Sequence, residues 1–184
     1  MLRASLHRTA SHVQLRMREA LFAGEGAEPV GPISLDLRDA ERLTLSFATN
    51  REASVAAMLA AAIVKPTAGS VLVNGFDSRI QPAACKRVAG YVPHDPLPLT
   101  RARFWELIAY RADLWAIDPK RARTLSEDLL ARLAGIHEAF AYPLAAALVT
   151  SPQFLVLDRP QPSFEATIGA VAVGCAILTT RVSS

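Results

Sequence analysis

Apolar positions recur along the chain with two periods. Val13, Leu15 and Met17 alternate with polar neighbours, as do Ile33, Leu35 and Leu37, and again Leu43, Leu45 and Phe47. A period of two predicts strands. Between them, Gly24 to Gly31 reads as a loop and Asp39-Ala40-Glu41 as a turn. After Phe47 the period changes. Val55, Met58, Leu59, Ala62 and Ile63 recur at helical spacing, and Ser54 stands where a helix N-cap would be. Lys65-Pro66 stops that helix, because the residue before a proline is pushed out of the α region. Ser70 to Val73 is a short strand, and Asn74-Gly75 is a turn that tolerates positive φ.

Gln81 to Lys86 can form a helical turn with Pro82 near its start, and Val88 to Val92 is a buried strand ending at Pro93-His94-Asp95-Pro96. Thr100 to Leu114 and Pro119 to Ala134 read as two helices, with Gly135 stopping the second. Leu125, Leu129, Leu130 and Leu133 give the second an apolar stripe. Tyr142 to Thr150 is a short alanine-rich helix, Phe154 to Leu157 an apolar strand ending in Asp158, and Cys175 to Thr179 a last strand. Strands alternating with helices predict an α/β fold with a largely parallel sheet, in one domain over residues 1–184.

Composition narrows the classes of function. At 184 residues and 51% hydrophobic, the chain can bury a proper core. The formal charge is only +3, and its 17 arginines and 3 lysines never run more than two together, which argues against nucleic acid as a partner. Cys85 and Cys175 lie 90 positions apart with no CxxC, which argues against a metal site or disulfide framework and suits a reducing cytosol. No apolar run reaches the ~20 residues of a spanning helix. The longest candidate, Ile168 to Leu178, contains two glycines and reads as a helix-to-strand segment. Arg3, Arg8, Arg16 and Arg18 make a basic start that reads as a frayed lead-in to the first strand rather than a transit peptide.

The strand, loop and helix of Leu43 to Ile63 form the frame of a phosphate-binding loop, whose glycines let backbone N–H groups close around phosphate oxygens. Here the chain resembles the ATP-binding domain of ABC transporters. AERLTLSFATNREASVAAMLAAAIVKPTAGSVLVNGFD is similar, without a gap, to the family's phosphate-loop region. KRVAGYVPHDPLPLT resembles the stretch around its Gln loop, ALVTSPQFLVLDRPQPSFE its Walker B strand and D-loop, and AILTTR the strand ending in its switch histidine. The resemblance implies a P-loop NTPase-like fold: a mostly parallel core sheet, a small antiparallel part and a reduced helical subdomain, here a helical insert at about 100–135.

The same alignment shows where the family's chemistry is replaced. The phosphate-loop glycines fall on Phe47, Asn50 and Glu52, and the phosphate-binding lysine on Ala53. Ser54 matches the Mg²⁺-binding hydroxyl, although its role as an N-cap explains it as well. The Gln-loop glutamine is His94, which as a lone histidine in a proline-rich loop reads as a surface residue. Asp158 keeps the Walker B aspartate, either as a metal-directed carboxylate or as a turn cap. The general-base glutamate is Arg159, whose guanidinium stays protonated and cannot take a proton from water. The D-loop aspartate is Glu165 and the switch histidine Arg181, and the LSGGQ signature has no counterpart before LAAALVTSP. Phe22 lies where the family often stacks an aromatic on adenine, but with no phosphate site beneath it reads as plain packing.

These replacements lead to an expectation of no catalytic residues, no metal and no cofactor, with Phe22, Ala53, Ser54, His94, Asp158, Arg159 and Arg181 as vestigial nucleotide-site positions. The expected role is an inactive, pseudo-ATPase subunit that docks on or regulates a transporter membrane subunit or a paralogous ABC ATPase subunit. Its expected location is cytoplasmic, either free or peripheral on the inner face of the plasma membrane. Phe104, Trp105, Tyr110 and Trp115 of the helical insert are either interface anchors or the insert's own core. The alternative is a divergent ATP-binding subunit with weak nucleotide binding, for which ATP and Mg²⁺ would be the ligands.

Overall fold

The computed structural model describes residues 12–95 and 98–183. Arg3, Arg8 and Pro96 of the sequence reading lie outside them. Eight strands and six helices are described: β1 (Val13–Phe22), β2 (Val30–Arg38), β3 (Arg42–Phe47), α1 (Asn50–Ala60), β4 (Ala68–Val73), β5 (Phe76–Asp77), α2 (Pro82–Val88), β6 (Ala89–Val92), α3 (Arg101–Leu114), α4 (Pro119–Arg132), α5 (Glu138–Leu148), β7 (Phe154–Asp158), α6 (Pro162–Val171) and β8 (Ala176–Val182).

The strands form two sheets. One is antiparallel in the order β2-β1-β4-β5, and the other has the order β3-β8-β7-β6 and is parallel throughout. The fold class read from the sequence is the one observed. β7 is buried at all five positions, because a parallel strand covered on both faces has no solvent side to supply. The antiparallel sheet bends where Glu19 interrupts the register of β1 with both neighbours, at φ +46°. Gly69 of β4 passes over that bend at φ +71°, where a Cβ would meet the Glu19 carbonyl oxygen at 2.0 Å. Only a bare backbone fits there.

α1 lies between the two sheets. Ala53, Val55, Ala56, Ala57, Leu59 and Ala60 are all buried, and the alanines let strands approach it from several sides. Leu15, Met17, Val71 and Val73 from one sheet join Phe154, Val156, Ala176 and Leu178 from the other in this core. A second core lies on the opposite face of the parallel sheet. There Phe104, Ile108, Leu133, Tyr142 and Leu144 pack with Leu155, Leu157 and Ile177.

The helical insert is α3 and α4, with Thr100 and Asp118 as side-chain N-caps. Its aromatics mostly face inward. Phe104 is fully buried, stacked on Tyr142 at 4.7 Å and edge-on to Trp105 at 4.9 Å. Trp105 carries the Arg123 guanidinium over its ring at 4.8 Å, and Trp115 Nε1 donates to the Arg87 carbonyl at 3.1 Å. Tyr110 alone of the four is exposed. α5 starts at Glu138 rather than Tyr142, because the His137 side chain caps it and Pro143 is accommodated inside the helix rather than at its start.

Candidate functional site

The site lies at the carboxyl ends of β3 and β7, where α1 begins. The sequence reading places a loop up to Ser54, with Ser54 as the N-cap. The structure corrects this: α1 already starts at Asn50, capped by Thr49. The Thr49 hydroxyl accepts from the Glu52 N–H at 3.2 Å, and the Glu52 carboxylate accepts from the Thr49 N–H at 2.8 Å. This reciprocal pair is a capping box, satisfied by the Thr-x-x-Glu pattern itself. Asn50, Arg51, Glu52 and Ala53 therefore wind into the helix. Ala53 is fully buried.

Ser54, one turn inside the helix, reaches the end of β7. Its hydroxyl donates to Asp158 Oδ2 at 2.7 Å. Asp158 is 4% exposed, and each of its oxygens takes further partners. Tyr91 of β6 donates to Oδ2 and Thr180 of β8 to Oδ1, both at 3.4 Å. The carboxylate thus neither caps a turn nor stands open toward a metal. Burial pushes the Tyr91 phenol well above its ordinary value, and the adjacent Asp158 charge raises it further, so the hydroxyl stays a donor.

Arg159 follows at φ +47°, a left-handed conformation that is uncommon outside glycine. Its N–H donates to the Thr180 carbonyl at 3.0 Å, and its own carbonyl accepts from His94 Nδ1 at 2.8 Å. A carbonyl only accepts, so that ring nitrogen carries the proton. So held, the side chain folds back over the cluster. Nε donates to Asp158 Oδ1 at 3.0 Å, Nη2 to the Ser54 hydroxyl at 2.9 Å and Nη1 to Asn50 Oδ1 at 2.6 Å. His94, read from the sequence as a surface residue, is a half-buried member of the group.

The structure therefore brings Ser54, His94, Asp158 and Arg159 together and sets Phe22, Ala53 and Arg181 apart from them. Phe22, at the end of β1, packs against the core around α1. Arg181 sits one residue past Thr180 and points to the other face of β8, exposed and opposite Ser46. Glu165 falls in α6. Among the described residues no three His, Cys, Asp or Glu side chains converge as metal ligands. Both cysteines are free thiols, and burial pushes Cys175 up to about 11. Sequence reasoning missed Thr49, Asn50, Tyr91 and Thr180. Thr49 had a local signal in its capping-box spacing; the other three act through contacts that spacing does not reveal.

The two sheets, the helix between them and the helical insert have known counterparts. The chain superposes on an ATP-binding subunit of an ABC transporter with a TM-score of 0.74 and 14% identity, over 92% of this chain and 79% of that one. It superposes on cbiO1 from Clostridium perfringens, part of the ABC transporter complex cbiONQ, with a TM-score of 0.70, 17% identity and coverage of 94% and 79%. A bacterial Atm1-family ABC exporter with ATP bound gives 0.63, 16%, 91% and 34%. The fold is that of the ABC-transporter ATP-binding domain, as the sequence blocks implied.

In sequence, the chain is 25% identical over 170 residues to a lactococcin transport/processing ATP-binding protein, LcnC-like, of Lactococcus lactis subsp. lactis (strain IL1403). That match covers 81% of this chain, which spans about a quarter (24%) of the relative's length. No family model matches the chain.

Proposed function

We propose that this chain is a catalytically inactive ATP-binding-like subunit of an ABC transporter. It would dock on, or regulate, a transporter membrane subunit or a paralogous ATPase subunit at the cytoplasmic face of the membrane. The observation that carries the reading is the closed first turn of α1. A phosphate cradle needs open N–H groups, whereas the Glu52 N–H is held by the Thr49 hydroxyl. The Glu52 carboxylate lies where phosphate charge would come, and like charges a few ångströms apart repel strongly in a partly dry site. The Ala53 methyl replaces a lysine, which removes a charge-assisted contact. Arg159 cannot serve as a general base.

Partner docking is supported by the relatives, one of which is described as part of a transporter complex. Among the described residues no helix is long and apolar enough to cross a membrane. Tyr110 and Leu114, one helical turn apart and both exposed on α3, are the surface offered for docking. The Ser54–Asp158 pair favours a second reading, a divergent subunit that binds nucleotide weakly.

Calorimetry and thermal shift at millimolar Mg-ATP separate the two, since a ligand bound by the native state alone raises its apparent stability. The inactive-subunit reading expects no shift and no hydrolysis, both in the natural chain and in Ala53→Lys. A shift abolished by Asp158→Ala would establish the nucleotide-binding reading instead.

A further inference from the structure

The buried carboxylate of Asp158 requires a positive partner, and the structure supplies it in an unusual way. We infer that the guanidinium of Arg159 is a built-in replacement for a divalent cation between Ser54 and Asp158, and that removing it opens a cation site there. The resemblance places a metal at these two oxygens, but the residues present leave it no room. Ser54 Oγ and Asp158 Oδ2 are 2.7 Å apart and already bonded to each other. The hydroxyl has one proton, given to Asp158, and its lone pair takes Arg159 Nη2 at 2.9 Å. The remaining carboxylate oxygen takes Arg159 Nε at 3.0 Å. A planar fork of donors thus contacts the Ser54 hydroxyl and the Asp158 oxygen that the hydroxyl leaves free.

Three features hold the fork in place. Nη1 is anchored on Asn50 Oδ1 at 2.6 Å. The Arg159 backbone is bonded on both sides, to Thr180 and to His94. The left-handed φ of +47° is a strained conformation that persists only where the surroundings over-determine it. The Arg159 side chain is only 16% exposed, so the pair lies where an uncompensated charge is costly. With the guanidinium gone, the facing groups are a carboxylate, a hydroxyl and an amide oxygen. That donor set suits a hard ion such as Mg²⁺ or Mn²⁺, completed by water. The inference concerns metal and stability without nucleotide, so it can fail independently of the proposed function.

The test compares the natural chain, Arg159→Ala and Asp158→Asn/Arg159→Ala by thermal unfolding in EDTA and in millimolar MnCl₂, with NaCl at matched ionic strength. Bound Mn²⁺ is counted by electron paramagnetic resonance. The natural chain should unfold at one temperature throughout and bind no Mn²⁺ at this site. Arg159→Ala should lose on the order of 10 °C in EDTA. It should recover much of that loss with Mn²⁺ but not NaCl, binding one ion. The double variant should lose the Mn²⁺ response and, with no buried charge to leave unpaired, be more stable in EDTA than Arg159→Ala. If Arg159→Ala does not fold in EDTA, Arg159→Gln takes its place in the same comparison. The inference is overturned if the single variant matches the natural chain in EDTA, if Mn²⁺ does not stabilise it, or if the natural chain binds Mn²⁺ equally well.

Discussion

The two ends of α1 are held by different kinds of interaction. The last two turns, from Val55 to Ala60, are a packed apolar rod between two sheets. The first turn is fixed by polar contacts: the Thr49–Glu52 capping box, then Asn50 and Ser54 bonded to Arg159. The resemblance to an ATP-binding domain covers both ends, but in unlike ways. Along the rod it is met by similar apolar residues, and at the first turn it is met by substitutions. Packing asks only that a position be apolar and of suitable volume, whereas phosphate binding asks for particular groups. A fold can therefore be retained while the residues at its binding end are exchanged for ones that bond to each other.

Substitutions along this one helix probe that contrast. Leu59→Ala, in the rod, leaves a cavity among fully buried neighbours and should cost about 3 kcal/mol in denaturant unfolding. Ser54→Ala, at the junction, removes the hydroxyl shared by Asp158 and Arg159, and both lose a partner in a buried setting. Its expected loss is about 2 kcal/mol; a loss below a few tenths would show that the polar cluster contributes nothing there. Thr49→Ala opens the capping box at the exposed end and should cost about 1 kcal/mol. Amide exchange of residues 50–53 would detect fraying of the first turn without loosening of the rod. Equal effects at all three positions would dissolve the distinction between the two ends.

The rod was legible in the sequence because an apolar stripe at helical spacing is a local pattern. So were the alternating stretches 13–17 of β1, 33–37 of β2 and 43–47 of β3, but not the end of β1, where Glu19 breaks both the alternation and the register. The first turn was not. Ser54 was read as the cap because the apolar stripe begins at Val55, although Thr49 and Glu52 carry the spacing of a real N-terminus five residues earlier. His94 looked like a surface residue because its partner, the Arg159 carbonyl, is 65 positions away. Asn50 and Arg159, 109 apart, gave no local sign of each other. Nothing in the spacing of the Asp158-Arg159 dipeptide announces a left-handed arginine. Contacts between segments distant in sequence, rather than weak propensities, account for most of what was missed.

The place of β8 has a consequence for how the protein is made. This strand lies between β3 and β7, so Arg42 of β3 pairs with Ile177, 135 positions later (177 − 42). At ribosomal rates of about 5–20 residues per second, that interval lasts on the order of ten seconds. Throughout it β3 has an open hydrogen-bonding edge, and α1 lacks one of the strands that cover it. The apolar rod thus gains part of its cover early, from β1 to β4, and the rest only when β7 and β8 have been made. Pairing of the antiparallel strands first would shield one side of the rod over that interval.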